Sequence, residues 1–153
     1  METVKEKKDD TTGRELMVTR LLNAPVELVW EVWTKPEHIK NWWGPNGFTN
    51  TMHTMEVKPG GLWEFVMHGP DGTNYQNKSI FKEVIKHRLI VFDHFNPNFT
   101  ATIDFIAEGK KTLIKWRMLF ESKEQFEIVV KTFKADEGQK QNIDKLETYL
   151  ATI

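Results

Sequence analysis

The chain has 153 residues, 21 basic and 22 acidic side chains, a formal net charge of −1 and no cysteine. That length fits one domain, which buries about 70% of its unfolded surface. The charge balance excludes a nucleic-acid binder that works by phosphate neutralisation and offers no polybasic anchor for an anionic membrane. The lack of cysteine excludes disulfides, thiolate nucleophiles and Cys-ligated metal or iron–sulfur sites.

No run approaches the roughly 18 apolar residues of a membrane span, so no integral membrane segment is expected. The charged opening METVKEKKDDTTGRE lacks the apolar stretch of a secretory signal. These features predict a cytoplasmic protein with a disordered polar tail over residues 1–12 and a single domain over 13–153.

In chain order, RELMVTRLL over residues 14–22 reads as a strand. Asn23 and Pro25 suit a helix start, with Asn23 as the cap. Val26, Val29, Trp30 and Trp33 follow at helical spacing, and Pro36 ends that helix and opens a second, PEHIKNWW, which Gly44-Pro45 stops. The pattern then changes to period two. Trp63, Phe65 and Met67 share one strand face, with Glu64 and His68 on the other. Pro70-Asp71-Gly72 marks a turn, and strands are expected at about 74–86, 88–95, 99–108 and 111–121, the last two joined by a turn at Gly109-Lys110.

Ser122 begins a capping-box pattern with Gln125. Phe126, Val129, Val130 and Phe133 mark the buried side of the helix that follows, and Gly138 is expected to bend or break it. A last helix carries Ile143, Leu146, Tyr149 and Leu150. Consecutive strands with short turns imply an α+β fold: a curved antiparallel sheet of six or seven strands gripping a long C-terminal helix, with two short helices after the first strand.

The segment WWGPNGFTNTMHTMEVKPGGLWEFVMHGPDG, residues 42–72, holds three of the six Trp and six of the nine Gly. Bulky strand faces between Gly and Pro turns suggest walls around a hollow, because a bent sheet and a helix diverge along their length. Trp63, Phe65, Met67, Tyr75, Phe81, Trp116 and Phe133 form the expected inward set, with Asn77 adding a polar contact and Trp42 and Trp43 closing the mouth. The competing reading is that these rings fill a dry core.

Five histidines, His38, His53, His68, His87 and His94, show no H-x-x-x-H or H-x-H pairing, so no metal site is expected. His53 and His94 lie in apolar strands and are expected to point inward. Asp93 and His94 are neighbours on one strand and face opposite sides, which rules out a direct dyad. Glu83 and Asp104 sit among half-buried strand residues, with Asp104 read as solvated. No nucleophile elbow, phosphate loop or dinucleotide fingerprint is present, and no cofactor is expected.

Trp42-Trp43-Gly44-Pro45 with Gly47-Phe48, then Lys58-Pro59-Gly60-Gly61 with Trp63, Phe65, Met67 and Gly69-Pro70-Asp71-Gly72, closely resemble a family of bacterial proteins. Tyr75, Asn77, Phe81, Glu83-Val84 and Arg88-Leu89 extend the likeness, which spans about residues 14–151. These are homologues of the C-terminal domain of the activator of heat-shock protein 90 ATPase, within the START/SRPBCC (birch-pollen-allergen-like) superfamily. Two departures stand out: Gln139 where relatives often carry Trp, and Lys86-His87 where relatives tend to have proline. The first is expected to alter one end of the cavity and the second only a loop.

The resemblance implies a helix-grip fold with an internal cavity for a hydrophobic small molecule or lipid, held by a monomer or weak dimer. Two other functions follow from it. One is a cyclase or dehydratase using His53, His94, Tyr75 or Glu83. The other is a co-chaperone contact that stimulates a heat-shock protein 90 ATPase, although the chain has no room for the additional chaperone-binding domain of the eukaryotic activator. The non-enzymatic binding reading is favoured.

Overall fold

The computed structural model describes residues 13–153; the tail expected over residues 1–12 lies outside them. Seven strands form one antiparallel sheet: β1 (Glu15–Leu22), β2 (Thr49–Met55), β3 (Leu62–His68), β4 (Asn74–Ile85), β5 (Leu89–Phe95), β6 (Phe99–Glu108) and β7 (Lys111–Phe120). Their order across the sheet is β1-β7-β6-β5-β4-β3-β2. Strands β2 to β7 form a meander of short turns, and β1 returns to pair with β7, with Leu16 opposite Met118 and Val18 opposite Trp116. The two ends of the sheet, β1 and β2, are therefore consecutive in the chain.

The connection between them carries α1 (Val26–Thr34) and α2 (Pro36–Ile39). Pro25, extended at φ −70°, takes the N-cap position of α1, and no side chain caps that end, so Asn23 does not play the expected role. Lys35 separates α1 from α2 because the residue before proline disfavours helical backbone. Val29, Trp30, Val32 and Trp33 bury one side of α1, against β6 and β7.

After β7, Ser122 caps α3 (Lys123–Phe133), its hydroxyl accepting from the Gln125 N–H at 3.1 Å. Only this half of the expected capping box forms, because the Gln125 side-chain oxygen finds no hydrogen-bond partner among the described residues. The break between α3 and α4 (Ala135–Thr152) falls at Lys134, in left-handed backbone at φ 52°. Gly138 lies inside α4 rather than interrupting it. In α4, Gln139, Asn142, Ile143, Leu146 and Leu150 are buried, a single stripe at spacings of three and four. Eighteen residues make α4 about 27 Å long.

The concave face of the sheet and this stripe share one core. Strand alternation supplies Trp63 and Phe65 from β3, Phe81 from β4, Phe92 from β5, Ile103 and Phe105 from β6, and Ile114 and Trp116 from β7. A smaller cluster of Leu16, Phe120 and Val129 sits beneath α3. The Arg20 guanidinium on β1 reaches Asp144 at 2.9 Å and Glu147 at 2.7 Å on the outer side of α4. The architecture is the helix-grip arrangement expected of the sequence.

The turn before β3 is sterically exacting. Gly60 N–H donates to the Phe81 carbonyl at 2.7 Å, and Phe81 N–H to the Gly61 carbonyl at 2.9 Å. A Cβ on Gly61 would stand 1.9 Å from the backbone oxygen of Glu56, whereas one on Gly72, at φ +90°, would meet nothing within 4 Å. Gly61→Ala is expected to cost about 3 kcal/mol, the upper end of overpacking penalties. Gly72→Ala is expected to cost only about 1–2 kcal/mol from its left-handed backbone. Urea unfolding of the two variants checks the ranking.

Candidate functional site

The space between α4 and the concave sheet face is occupied by indole and phenyl rings. Trp33 of α1 lies at its centre, with ring centroids 4.9 Å from Trp42, 5.7 Å from Trp43, 6.0 Å from Phe105 and 5.4 Å from Trp116. Interplanar angles of 69° to 88° make these edge-to-face contacts, the favoured geometry for ring quadrupoles. Trp43 continues the cluster to Trp63 at 5.2 Å and Trp116 at 5.5 Å. Trp63 stacks on Phe65 at 4.7 Å and meets Phe92 edge-on at 5.4 Å. Where an open hollow was expected, the rings interdigitate.

The polar atoms within this interior are unevenly matched. The Trp42 indole N–H donates to the Val32 carbonyl at 3.1 Å. Gln139, buried on α4, donates its amide N–H to the Trp116 carbonyl at 3.1 Å. By contrast, the indole N–H groups of Trp33 and Trp116 and the side-chain oxygen of Asn142 have no hydrogen-bond partner among the described residues. Relative exposures of 2%, 2% and 5% place all three residues well out of solvent. An unmatched buried hydrogen-bonding atom costs roughly 1–3 kcal/mol.

Of the interior tryptophans, Trp43 is the half-buried one. It is followed by a strap, Gly44-Pro45-Asn46-Gly47, with both glycines at positive φ. Lys145 of α4 fastens the strap by donating its ammonium to the carbonyls of Pro45 at 3.1 Å and Phe48 at 3.4 Å. Burial pulls the Lys145 pKa below its usual value. The Asn46 N–H adds a bond to the Gln141 side chain at 3.0 Å, and Asn50 donates to the Trp43 carbonyl at 2.9 Å.

His94 lies at the opposite end of the concave face, stacked on Phe99 at 4.6 Å. Its Nδ1–H donates to the Pro97 carbonyl at 2.9 Å, and Nε2 stands 2.9 Å from the Asn77 side-chain amide. Burial lowers its pKa from 6.5, partly opposed by the Pro97 bond. His94 also lines a surface cleft of about 320 Å³ with Arg14, Asn98 and Phe120; a second cleft of the same size lies at His87, Arg88 and Asp104. Neither cleft is lined by the central tryptophans.

The structure therefore gathers Trp42, Trp43, Trp63, Phe65, Phe81 and Trp116 into one cluster, with Met67 packed at its edge. Asn77 and His94 form a separate polar pair. Tyr75 is 43% exposed and meets Phe48 on the rim, ring centroids 5.9 Å apart. Tyr75 was expected to point inward and does not, and three further expectations require correction. Phe133 is 68% exposed, because it sits in the last turn of α3, immediately before the Lys134 break. His53 is exposed: a register shift between Met52 and Thr54 leaves it outside the ladder, and Met52 and Met55 face the core instead. A second shift, between Phe81 and Glu83, sends Glu83 outward opposite Val91 and turns Val84 in.

Asp93 faces away from His94, accepting from the Thr100 hydroxyl at 2.7 Å. Asp104 is half-buried at the second cleft rather than fully solvated. Among the described residues no three His, Asp or Glu side chains are grouped to hold a metal ion, and no helix is long and apolar enough to cross a membrane. The unmatched polar atoms went unnoticed in the sequence because Trp33 read only as a helix-face residue and Asn142 carried no motif.

The family model described as "Activator of Hsp90 ATPase homolog 1-like protein" matches residues 23–151. The chain belongs to this family. No curated protein matches the chain in sequence. Among solved structures, a crystal structure of a Nitrosomonas europaea protein is similar over 92% of this chain and 96% of its own, at 25% identity and a TM-score of 0.84. A solution structure from Arthrobacter aurescens covers 95% and 90%, at 24% identity and a TM-score of 0.87. The AHSA1 protein of Silicibacter pomeroyi covers 90% and 98%, at 17% identity and a TM-score of 0.74. The last two likenesses carry the fold alone.

Gln139, expected to alter one end of the cavity, is buried and brings its amide to the Trp116 carbonyl. The departure at Lys86-His87 falls in the β4–β5 turn, where His87 adopts φ 66° and its ring meets Trp30 edge-on at 6.1 Å.

The His94 environment sets a pH dependence. A histidine whose folded pKa is depressed favours the neutral form, so its contribution to stability is complete above the unfolded value near 6.5 and is lost as pH falls through the folded value. Stability is expected to decline on acidification below about 6.5, and His94→Asn is expected to show a shallower decline. Urea unfolding of both proteins at pH 7.5 and 5.5, with NMR titration of the ring, checks this.

Proposed function

We propose that this protein binds a small, mainly apolar molecule between α4 and the concave face of the sheet. The observation that carries the reading is a group of buried hydrogen-bonding atoms left unmatched there, among them those of Trp33, Trp116 and Asn142. Folded proteins pair the large majority of such atoms, so a group of exceptions calls for an explanation, here a further molecule that completes the network. The surrounding rings supply the apolar walls typical of a small-molecule site.

Because the rings interdigitate, binding requires one of them to move. Trp43 is the ring suited to do so, being half-buried and followed by a strap with glycine at both ends. The guest takes the volume that Trp43 occupies against Trp63 and Trp116, and the Lys145 and Gln141 contacts hold the strap closed in its absence. The acid–base groups needed by a cyclase do not converge on this space. His53 and Glu83 face outward, Tyr75 is on the rim, and His94 is engaged with Asn77 and Pro97. Binding without chemistry is therefore the reading favoured.

Titration with the neutral dye Nile red, followed by energy transfer from tryptophan, is expected to show uptake at one site per chain. Trp43→Ala is expected to raise the association rate roughly tenfold, equivalent to about 1.4 kcal/mol off the barrier. Lys145→Met, which loosens the strap without touching a ring, is expected to act in the same direction. Failure of the wild-type protein to take up the dye, with all indole NMR cross-peaks unmoved and no small molecule released on denaturing mass spectrometry, would overturn the reading.

A chaperone contact is the second reading. It is favoured by the family description together with Ile128 and Phe133, two large apolar side chains exposed on α3. Stimulation of a heat-shock protein 90 ATPase that disappears in an Ile128→Glu, Phe133→Glu double variant would support it, and no stimulation by the wild type would dismiss it.

A further inference from the structure

The chemistry of the unmatched atoms restricts what the interior accepts. Trp33 and Trp116 each present an indole N–H, which donates and never accepts. Their ring centroids are 5.4 Å apart. Asn142 presents an amide oxygen, which only accepts. It lies one turn after Gln139, whose amide is bonded to the Trp116 carbonyl, and so shares the helix face that looks onto Trp116. A group that satisfies all three must accept from an indole and donate to an amide oxygen. A hydroxyl does both with one atom. A ketone accepts only, and a hydrocarbon does neither.

Charge narrows the class further. The buried polar side chains among the described residues are Ser79, Thr112, Gln139 and Asn142, and none is ionised. Lys145, the half-buried basic residue of α4, directs its ammonium to the Pro45 and Phe48 carbonyls of the strap. A carboxylate or phosphate carried into this interior would lose its hydration and find no counter-charge, a transfer that proteins do not tolerate without pairing. The Asn142 oxygen would also face the anion as a second acceptor.

We infer that the guest is an uncharged molecule with an apolar body and a hydroxyl group that accepts from the Trp33 or Trp116 indole and donates to Asn142. This rests on the binding reading above and specifies its ligand class. It separates the protein from carriers of ionised fatty acids or phospholipid headgroups.

Four eight-carbon probes of similar size test it: 1-octanol, 2-octanone, octane and octanoate at pH 8. Each is titrated into the wild-type protein and followed by the tryptophan indole 1H–15N cross-peaks. The expected order is 1-octanol tightest, 2-octanone about tenfold weaker for the bond it cannot donate, octane weaker again, and octanoate weakest. The Trp33 or Trp116 cross-peak moves downfield with 1-octanol and not with octane. Asn142→Leu, which removes this acceptor and adds an apolar group of similar size, is expected to abolish the preference of 1-octanol over 2-octanone while both still bind.

Octane binding as well as 1-octanol, or octanoate binding as well or better, overturns the inference and leaves the binding reading standing. A preference for 1-octanol that survives in Asn142→Leu also overturns it. No binding of any of the four overturns both. The wild-type cross-peaks give a result even where Asn142→Leu fails to fold.

Discussion

The packing of Trp33 against its four aromatic neighbours is the contact on which the rest of the structure depends. Trp33 belongs to α1, Trp42 and Trp43 to the segment after α2, Phe105 to β6 and Trp116 to β7. One indole thus joins the crossing connection to the middle of the sheet. Each edge-to-face pair adds about 0.5–1.5 kcal/mol to the burial of the rings themselves. The β1-to-β2 connection has to travel from one edge of the sheet to the other, and the ring cluster holds it against the concave face along that path. The buried stripe of α4 then closes over the same cluster through Gln139, Ile143 and Leu146.

Stability and function pull against one another at this place. A core of branched aliphatic residues would fill the gap with no polar atom to satisfy. Tryptophan fills it with more surface, but each indole brings an N–H that needs a partner. Trp42 finds the Val32 carbonyl, whereas Trp33 and Trp116 find no partner among the described residues. Gln139 and Asn142 place further polarity on the one helix that faces these rings. Asn50, Ser79 and Gln125 also carry unmatched buried oxygens, so the interior is one of several places where such polarity is left over.

The strap between α2 and β2 gives this interior its margin. Its backbone carbonyls are bonded to a lysine from α4, and its glycines adopt backbone that other residues resist. Opening it requires neither a strand to unpair nor α4 to leave the sheet. Such margins are drawn from the less stable end of a fold, where few apolar contacts are lost on movement.

What the sequence determined by itself was the alternation and punctuation of the chain. The period-two runs, the break at Pro36 and the Ser122 cap emerge as expected, because they arise from forces acting within a few residues; the second helix, expected to run to Gly44-Pro45, ends at Ile39. The inward set on β3 and β7 follows from the same alternation. Tertiary structure decided where that alternation slips. Register shifts at His53 and at Lys82 are relations between paired strands, and a single-strand pattern carries no sign of them; they turned His53 and Glu83 outward. It also decided that α3 ends past its supporting strand, leaving Phe133 in solvent, and that Trp33, Trp116 and Asn142, 26 to 109 positions apart in the chain, meet with their polar atoms unmatched. Hydrogen-bond pairing between distant side chains is a property of the assembled interior, and only the folded arrangement settles it.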